Sequence, residues 1–230
     1  MVVRGGWEGH QPVRSSEAVI PFLRSLDFDV TISESLGVYA DATVMGELDL
    51  VVQCWSNGEL TPDEQEGLIG AVAAGTGFAG WHGGVIATFP SSGAYHYMVG
   101  GQFICHPGGF VDYEVDIVGD PSDHPVTRGL ESFSITTEQY WCHVDPGNDV
   151  LATTTFTGAH GAPETAGVSM PVVWTRRHRL GRVFISTLGH FPEELDLPPV
   201  RALTLRGLAW AAREGSIPAP SPATDERGAG

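Results

Sequence analysis

A chain of 230 residues with 42% hydrophobic content can bury one sizeable core, and no shift in composition marks a second, so one domain over residues 1–215 is expected. Lys and Arg number 12 against 28 Asp and Glu; the formal charge of −16 argues against a nucleic-acid groove or an anionic membrane surface and for a small-molecule ligand, neutral or cationic. Cys54, Cys105 and Cys142 lack C-x-x-C spacing, the first residues carry no basic and apolar leader, and no apolar run approaches the roughly 20 residues of a membrane span, which together point to a cytoplasmic protein.

Val2-Val3 reads as the remnant of a first strand, followed by a polar turn from Gly5 to Pro12 that sets His10 at a strand end. Glu17 to Leu26 has Val19, Ile20, Phe22, Leu23 and Leu26 on one helical face, and Phe28 to Ile32 alternates like a strand, which makes a β-α-β unit. Leu48 to Val52 is nearly continuous in apolar character, as a strand covered on both faces must be. Thr61 then serves as N-cap, with Pro62 at the first helical position, Glu64 closing a capping box, Leu68, Ile69 and Val72 as the buried face and Gly75 as the stop.

Gly75 to Gly84 predicts a buried strand running into a sharp Gly-flanked turn that projects His82. Strands alternating with helices at this spacing predict an α/β fold, a doubly wound, mostly parallel sheet flanked by helices, with its crevice at the carboxyl ends of the strands. His10, the Cys54-Trp55 turn and His82 face that crevice in this reading. Phe110 to Val118, Phe133 to Thr137 and Val150 to Thr155 are β-like and read as insertions around the mouth. Pro171–Thr175 and Arg182–Thr187 flank a basic turn and predict a late antiparallel hairpin ending in Leu188-Gly189-His190. A last helix, capped by Asp196 and entered through Pro198-Pro199, carries Val200, Leu203, Gly207, Leu208 and Ala211 at helical spacing; the Pro/Ala/Gly-rich tail 216–230 is expected to be disordered.

Histidine is the candidate chemical currency. Of nine, His10, His82, His106 and His190 fall at predicted strand ends beside Gly or Pro, and Glu138 is the best-placed carboxylate. A neutral imidazole can take a proton near pH 7 or ligate a divalent metal, and a nearby carboxylate can orient the ring or complete the ligand set. Each histidine alone also fits a solvated loop residue, and Glu138 fits a cap or an arginine partner. No H-x-x-x-H or H-E-x-x-H spacing exists, so a metal site would be assembled from separate loops. His143, close in sequence to Glu138 and Tyr140, stands ahead of His96, His124, His160 and His178. No cysteine occupies the elbow, and no Gly-rich segment matches a nucleotide-phosphate motif, so no nucleotide cofactor is expected. The tryptophans, among them Trp7 and Trp81, offer faces for sugar rings or serve as core.

The chain resembles the ThuA-like family, named for trehalose utilisation, within the class I glutamine amidotransferase-like superfamily. Five stretches carry the resemblance: Gly6-Trp7-Glu8-Gly9-His10; Gly80-Trp81-His82-Gly83-Gly84; Gly100-Gly101-Gln102-Phe103 with His106-Pro107; Glu138-Gln139-Tyr140; and Gly181-Arg182-Val183-Phe184 through Gly189-His190. It implies a flavodoxin-like, amidotransferase-like fold in which His82 stands where the superfamily keeps its cysteine and His190 matches the catalytic histidine. Phe191-Pro192-Glu193 departs from His-Pro-Glu by one inserted residue, which leaves Glu193 or Glu194 as its orienter. Glutaminase activity is therefore not expected, and the resemblance implies a role in sugar catabolism.

The expected function is acid/base chemistry on a small sugar or keto-glycoside, as a lyase, hydrolase or isomerase. Its catalytic residues are His82, His190 and Glu138, and its substrate contacts are His10, Trp7, Trp81, Tyr140 and His143. His10, His82, His106 and His190 could hold a divalent ion, zinc or manganese, and a homo-oligomer is compatible with this reading. Two alternatives stand beside it: a sugar-binding or regulatory module without catalysis, and a hydrolase using Cys54 or Cys105.

Overall fold

The computed structural model describes residues 1–120 and 122–217. In chain order the elements begin β1 (Val2–Gly6), α1 (Pro12–Glu17), α2 (Ile20–Ser25), β2 (Ile32–Ser33), α3 (Ala42–Glu47), β3 (Leu50–Ser56), α4 (Pro62–Ala73), β4 (Gly77–Trp81), α5 (Gly83–Ile86) and α6 (Gly93–Val99). There follow β5 (Gly101–Cys105), β6 (Phe110–Ile117), β7 (Phe133–Glu138), β8 (Trp141–Val144), β9 (Asp149–Thr155), β10 (Ser169–His178), β11 (Gly181–Ser186) and α7 (Pro198–Ala211).

Nine strands form one sheet in the order β2-β1-β3-β4-β11-β10-β9-β6-β7. Pairing is parallel from β2 through β1, β3 and β4 to β11, and antiparallel from β11 through β10, β9 and β6 to β7. Strand β5 pairs with β8 in a separate antiparallel ribbon.

Period-two alternation explains how the parallel half is covered on both faces. Val2, Val52, Ala79 and Phe184 pack with Val19, Ile20 and Leu23 of the first helical segment and Leu203, Leu208 and Ala211 of α7. Their neighbours Val3, Val51, Phe78 and Ile185 point to the opposite face, against Met45, Leu68, Val72, Tyr95 and Met98. Each such aliphatic side chain, removed from water, contributes roughly 1.5–3 kcal/mol before chain entropy is counted. Gln53 is fully buried within this layer: it accepts from the Tyr39 hydroxyl at 2.9 Å and donates to Tyr95 Oη at 2.7 Å and to the Gly84 carbonyl at 3.2 Å.

The α4 start is as its sequence predicts, with the Thr61 side chain accepting the Glu64 amide and Glu64 Oε2 accepting the Thr61 amide at 2.7 Å. The β10–β11 hairpin is likewise present. Several expectations are corrected. The helix expected from Glu17 to Leu26 is two short helices that begin earlier, at Pro12; Pro21, which has no amide to donate, sits in the first turn of the second. The strand expected over 28–32 is reduced to Ile32–Ser33.

The segments read as insertions around the mouth are instead β6, β7 and β9, which extend the main sheet. Helix α7 is not capped by Asp196. Its N-cap is Leu197, with no side-chain cap, and Asp196 lies in the preceding 3₁₀ turn, where it accepts from Arg201 at 3.1 Å. Residues 218–230 of the expected tail lie outside the described residues. Among the described residues no helix is long and apolar enough to cross a membrane.

Candidate functional site

Four chain segments reach the carboxyl ends of the parallel strands. After β1 a 3₁₀ turn over Glu8–His10 carries His10, and after β4 the chain turns at once through His82 into α5. His82 holds φ 49°, a left-handed conformation uncommon for a residue with a side chain, so the elbow stores roughly 1–3 kcal/mol of backbone strain. Its amide donates to the Ser186 carbonyl at 2.7 Å, tying the turn to β11. Glycine at position 83 is required by close approach: a Cβ there would lie 2.1 Å from His10 Cε1. Glu138 ends β7 and His190 follows β11 by four residues.

One donor atom from each of His10, His82, Glu138 and His190 lies within 4.8 Å of all the others. Three form a near-equilateral triangle. His82 Nε2 is 3.1 Å from Glu138 Oε2 and 3.0 Å from His190 Nδ1, and His190 Nδ1 is 3.0 Å from the same carboxylate oxygen. The Tyr140 hydroxyl is 2.8 Å from His82 Nε2. His10 stands edge-on to both other rings, at 4.9 and 5.0 Å between centroids, and its Nδ1 is 2.6 Å from Ser56 Oγ.

The tautomers follow from the partners. The Thr187 carbonyl, 2.8 Å from His82 Nδ1, can only accept, so Nδ1 carries the proton. A neutral His82 then presents the Nε2 lone pair to a carboxylate oxygen and a second imidazole nitrogen. The Tyr140 hydroxyl can donate to that lone pair, and a proton on His190 Nδ1 or a cation among the donors relieves the crowding that remains.

Imidazole and carboxylate ligands suit zinc and manganese, and a ligand ring whose other nitrogen donates to a backbone carbonyl is the usual support for such an ion. A tetrahedral zinc site with bonds of about 2.0–2.1 Å separates its donors by about 3.3 Å, close to the three edges of the His82, Glu138 and His190 triangle. The donor set therefore fits a divalent ion.

The electrostatics agree. Burial works to raise the Glu138 carboxyl, but hydrogen bonds from His190 and His82 outweigh it and hold it well below the usual carboxylate range. Burial, with the His82 and His190 rings beside it, pushes His10 down to about 3. Both groups keep their ligand forms at neutral pH. Burial pushes Cys54 up to about 12 and raises Cys105 and Cys142 as well, which leaves the cysteines as poor nucleophiles.

Beside the cluster lies a cavity of about 260 Å³, lined by Trp7, His10, Asn57, Phe103, His106 and Tyr140 among others. Trp7 is half-exposed and meets His10 edge-on at 4.7 Å. A larger cavity of about 730 Å³ opens between α4, α6 and the β10–β11 turn, at the other end of β11, and contains none of the cluster residues.

Among the residues singled out from sequence, His10, His82, His190, Glu138, Tyr140 and Trp7 come together. His106 stays outside the four-donor group; its Nε2 is 3.5 Å from Glu138 Oε1, and its buried Nδ1 has no partner among the described residues. Trp81 does not line the cavity: it packs in the core with Leu188 and Leu195, on the sheet face covered by α7. His143 is exposed on the β5–β8 ribbon opposite Gln102, because alternation along β8 turns Cys142 inward and His143 out.

Sequence reasoning missed Ser56, the Thr187 carbonyl and the answer to the Glu193/Glu194 alternative. Glu193 pairs with Arg14 at the surface at 2.7 Å, whereas buried Glu194 accepts the His190 amide at 3.0 Å and the Gly189 amide at 3.3 Å. The His190 ring itself is oriented by Glu138. A carboxylate four residues after a histidine was the signal available for Glu194.

The ThuA family model, described as trehalose utilisation, matches residues 1–211. No curated protein matches the chain. Among solved structures, a ThuA-like protein of Parabacteroides merdae superposes with a TM-score of 0.73 at 19% identity, over 96% of this chain and 92% of that one. A ThuA-like protein of Bacteroides uniformis gives 0.71 at 18% identity, over 91% and 89%. A cytoplasmic protein of Salmonella typhimurium gives 0.61 at 13%, over 86% and 88%. These likenesses establish shared architecture, and the family match over nearly the whole chain goes further: the chain belongs to the ThuA, trehalose utilisation, family.

Proposed function

We propose that this protein acts in carbohydrate catabolism on a small keto-sugar or keto-glycoside by histidine acid/base chemistry. The observation that carries the reading is the convergence of His82, His190 and Glu138 at 3.0–3.1 Å beside a cavity of about 260 Å³, a size suited to one sugar ring. The strand order β2-β1-β3-β4-β11 supports a flavodoxin-like, amidotransferase-like scaffold, with the site at the carboxyl ends of its strands. The cytoplasmic Salmonella neighbour supports a cytoplasmic setting.

A ketone acidifies the C–H beside it. Glu138 accepts the proton at His190 Nδ1, which leaves the Nε2 lone pair of that ring free to take the substrate proton, the carboxylate–imidazole logic of other acid/base pairs. The C–H electron pair becomes a C=C bond as the glycosidic C–O bond breaks, and the departing oxygen takes a proton from a pocket acid or water. His106, on the cavity wall, is placed to give it. Trp7 and Tyr140 bound the ring and exclude water.

Loaded with a divalent ion, which His10, His82, Glu138 and the His190 Nδ1 lone pair would hold, the site would supply Lewis-acid polarisation of the carbonyl oxygen, and the substrate proton would then pass to a base other than His190. The test is turnover of 3-keto-glucosides by protein purified without chelators. His190→Ala and Glu138→Gln should lower it at least about 100-fold, in the range lost with a general base. Wild-type turnover in both variants rejects the assignment, and saturable sugar binding with no turnover in the native protein would instead make this a binding module.

A further inference from the structure

His82 leaves β4 in a left-handed conformation and enters α5, a helix of one turn whose four residues are all buried. A helix leaves its last four carbonyls without partners inside it, and a single turn has no others. Buried carbonyls must then be met from outside. Two of these are met by one chain of polar side chains. The Tyr39 hydroxyl donates to Gln53 Oε1 at 2.9 Å, and Gln53 Nε2 donates to the Gly84 carbonyl at 3.2 Å and to Tyr95 Oη at 2.7 Å. The Tyr95 hydroxyl in turn donates to the Val85 carbonyl at 2.7 Å. All three side chains are fully buried. Because each carbonyl can only accept, and the Tyr95 proton is committed to one of them, the Gln53 amide has a single orientation and the chain a single direction.

We infer that Gln53 and Tyr95 are positioning residues for His82: they clamp the residues leaving the elbow, and so keep His82 Nε2 at 3.0–3.1 Å from His190 and Glu138. A strained φ persists where its surroundings over-determine it. On one side the Ser186 carbonyl takes the His82 amide at 2.7 Å and the Thr187 carbonyl holds the ring at 2.8 Å. On the other side Gln53 of β3 and Tyr95 of α6 hold Gly84 and Val85, so the turn is gripped before and after the histidine. Neither Gln53 nor Tyr95 belongs to the four-donor group or lines the Trp7 cavity, and their effect on the cluster therefore passes through the elbow. The inference rests on the reading of His82 as a working member of that cluster and adds the residues that set its place.

The test combines zinc titration calorimetry with NMR exchange of the His82 Nδ1 proton, its signal assigned by loss in His82→Ala. Chelator-stripped wild type is compared with Gln53→Leu, Tyr95→Phe and Leu23→Ala, the last a core change on the opposite face of the sheet that controls for stability alone. Gln53→Leu and Tyr95→Phe should each weaken zinc binding about tenfold, the lower end for an outer partner, and speed exchange of that proton at least about tenfold, as local opening of the elbow implies. Leu23→Ala should lower the unfolding midpoint and leave both readings at wild-type values. Wild-type affinity and exchange in folded Tyr95→Phe, or equal losses in Leu23→Ala, overturn the positioning role. Tyr95→Phe, the smaller change, decides alone where Gln53→Leu does not fold. A wild type that binds no zinc sinks the metal reading of the cluster, and proton exchange, which needs no ion, then decides the positioning role by itself.

Discussion

Glu194 accepts the backbone amide of His190 at 3.0 Å and, through the same carboxylate, the hydroxyl of Thr137 at 2.9–3.0 Å, one residue before Glu138. One buried side chain thus fixes the two segments whose ring and carboxylate meet in the cluster.

Glu194→Ala should leave two amides and a hydroxyl without their acceptor and destabilise the fold by about 2–4 kcal/mol, measured by urea unfolding. Glu194→Gln, which keeps one acceptor oxygen, should cost roughly half of that. Equal stability of wild type and the alanine variant would show that Glu194 does not anchor these segments.

Removal of a donor should weaken metal uptake in a graded way. His82→Ala, His190→Ala and Glu138→Ala should each reduce zinc or manganese affinity by more than about 100-fold, since loss of an outer partner alone costs about 10–100-fold. His106→Ala, outside the four-donor group but 3.5 Å from Glu138 Oε1, should cost only about tenfold, the lower end for an outer partner. Titration calorimetry on chelator-stripped protein measures this. Undiminished binding by the first three variants would place any ion elsewhere.

Gly83→Ala would put a methyl group 2.1 Å from the His10 ring. The ring, which is partly open to solvent, should swing away from the cluster, with a loss in metal affinity of more than about 100-fold, as for any other lost donor, and a thermal midpoint lowered by only a few degrees. A crystal structure of the variant with His10 in place would refute the steric argument.

Acid should destabilise the ligand-free protein. His10 stays neutral down to about 3 when folded, whereas an unfolded imidazole titrates near 6.5, so below 6.5 the unfolded chain binds a proton the folded one refuses. Its contribution is complete above pH 6.5 and is lost as pH falls from there toward 3. Glu138, held below 4.5 when folded, adds a loss in the same direction below that pH. Unfolding free energy should drop by about 1–2 kcal/mol between pH 6.5 and 4.5 from His10, a figure reduced for the partial exposure of the ring, and His10→Gln should flatten that slope. Parallel slopes would refute it.

Where a signal is local, the sequence was readable. The α4 cap depends on Thr61, Pro62 and Glu64 within four residues, and the elbow on glycines either side of His82. The short strand at Ile32–Ser33 and the broken first helix were misread because apolar periodicity survives the helix break at Ala18-Val19, just before Pro21, and outruns the few residues that actually pair.

The strands β6, β7 and β9 could be found, but not their place, since sheet order is set by packing between segments far apart in the chain. Trp81 and His143 were misjudged for a related reason. A motif says which residues are near a turn, while the face each side chain takes is decided by strand direction and by what covers it.

Within the cluster His10, His82 and His190 follow strands of the parallel half, while Glu138 ends a strand at the far antiparallel edge. The carboxylate lies 52 and 56 residues from its two imidazole partners, and those two are 108 apart. No fragment holding only one half of the sheet can contain the complete donor set. Competence for ligation therefore depends on both halves of the sheet at once, and a chain cut so as to lose either half lacks it even where its remaining strands are well formed.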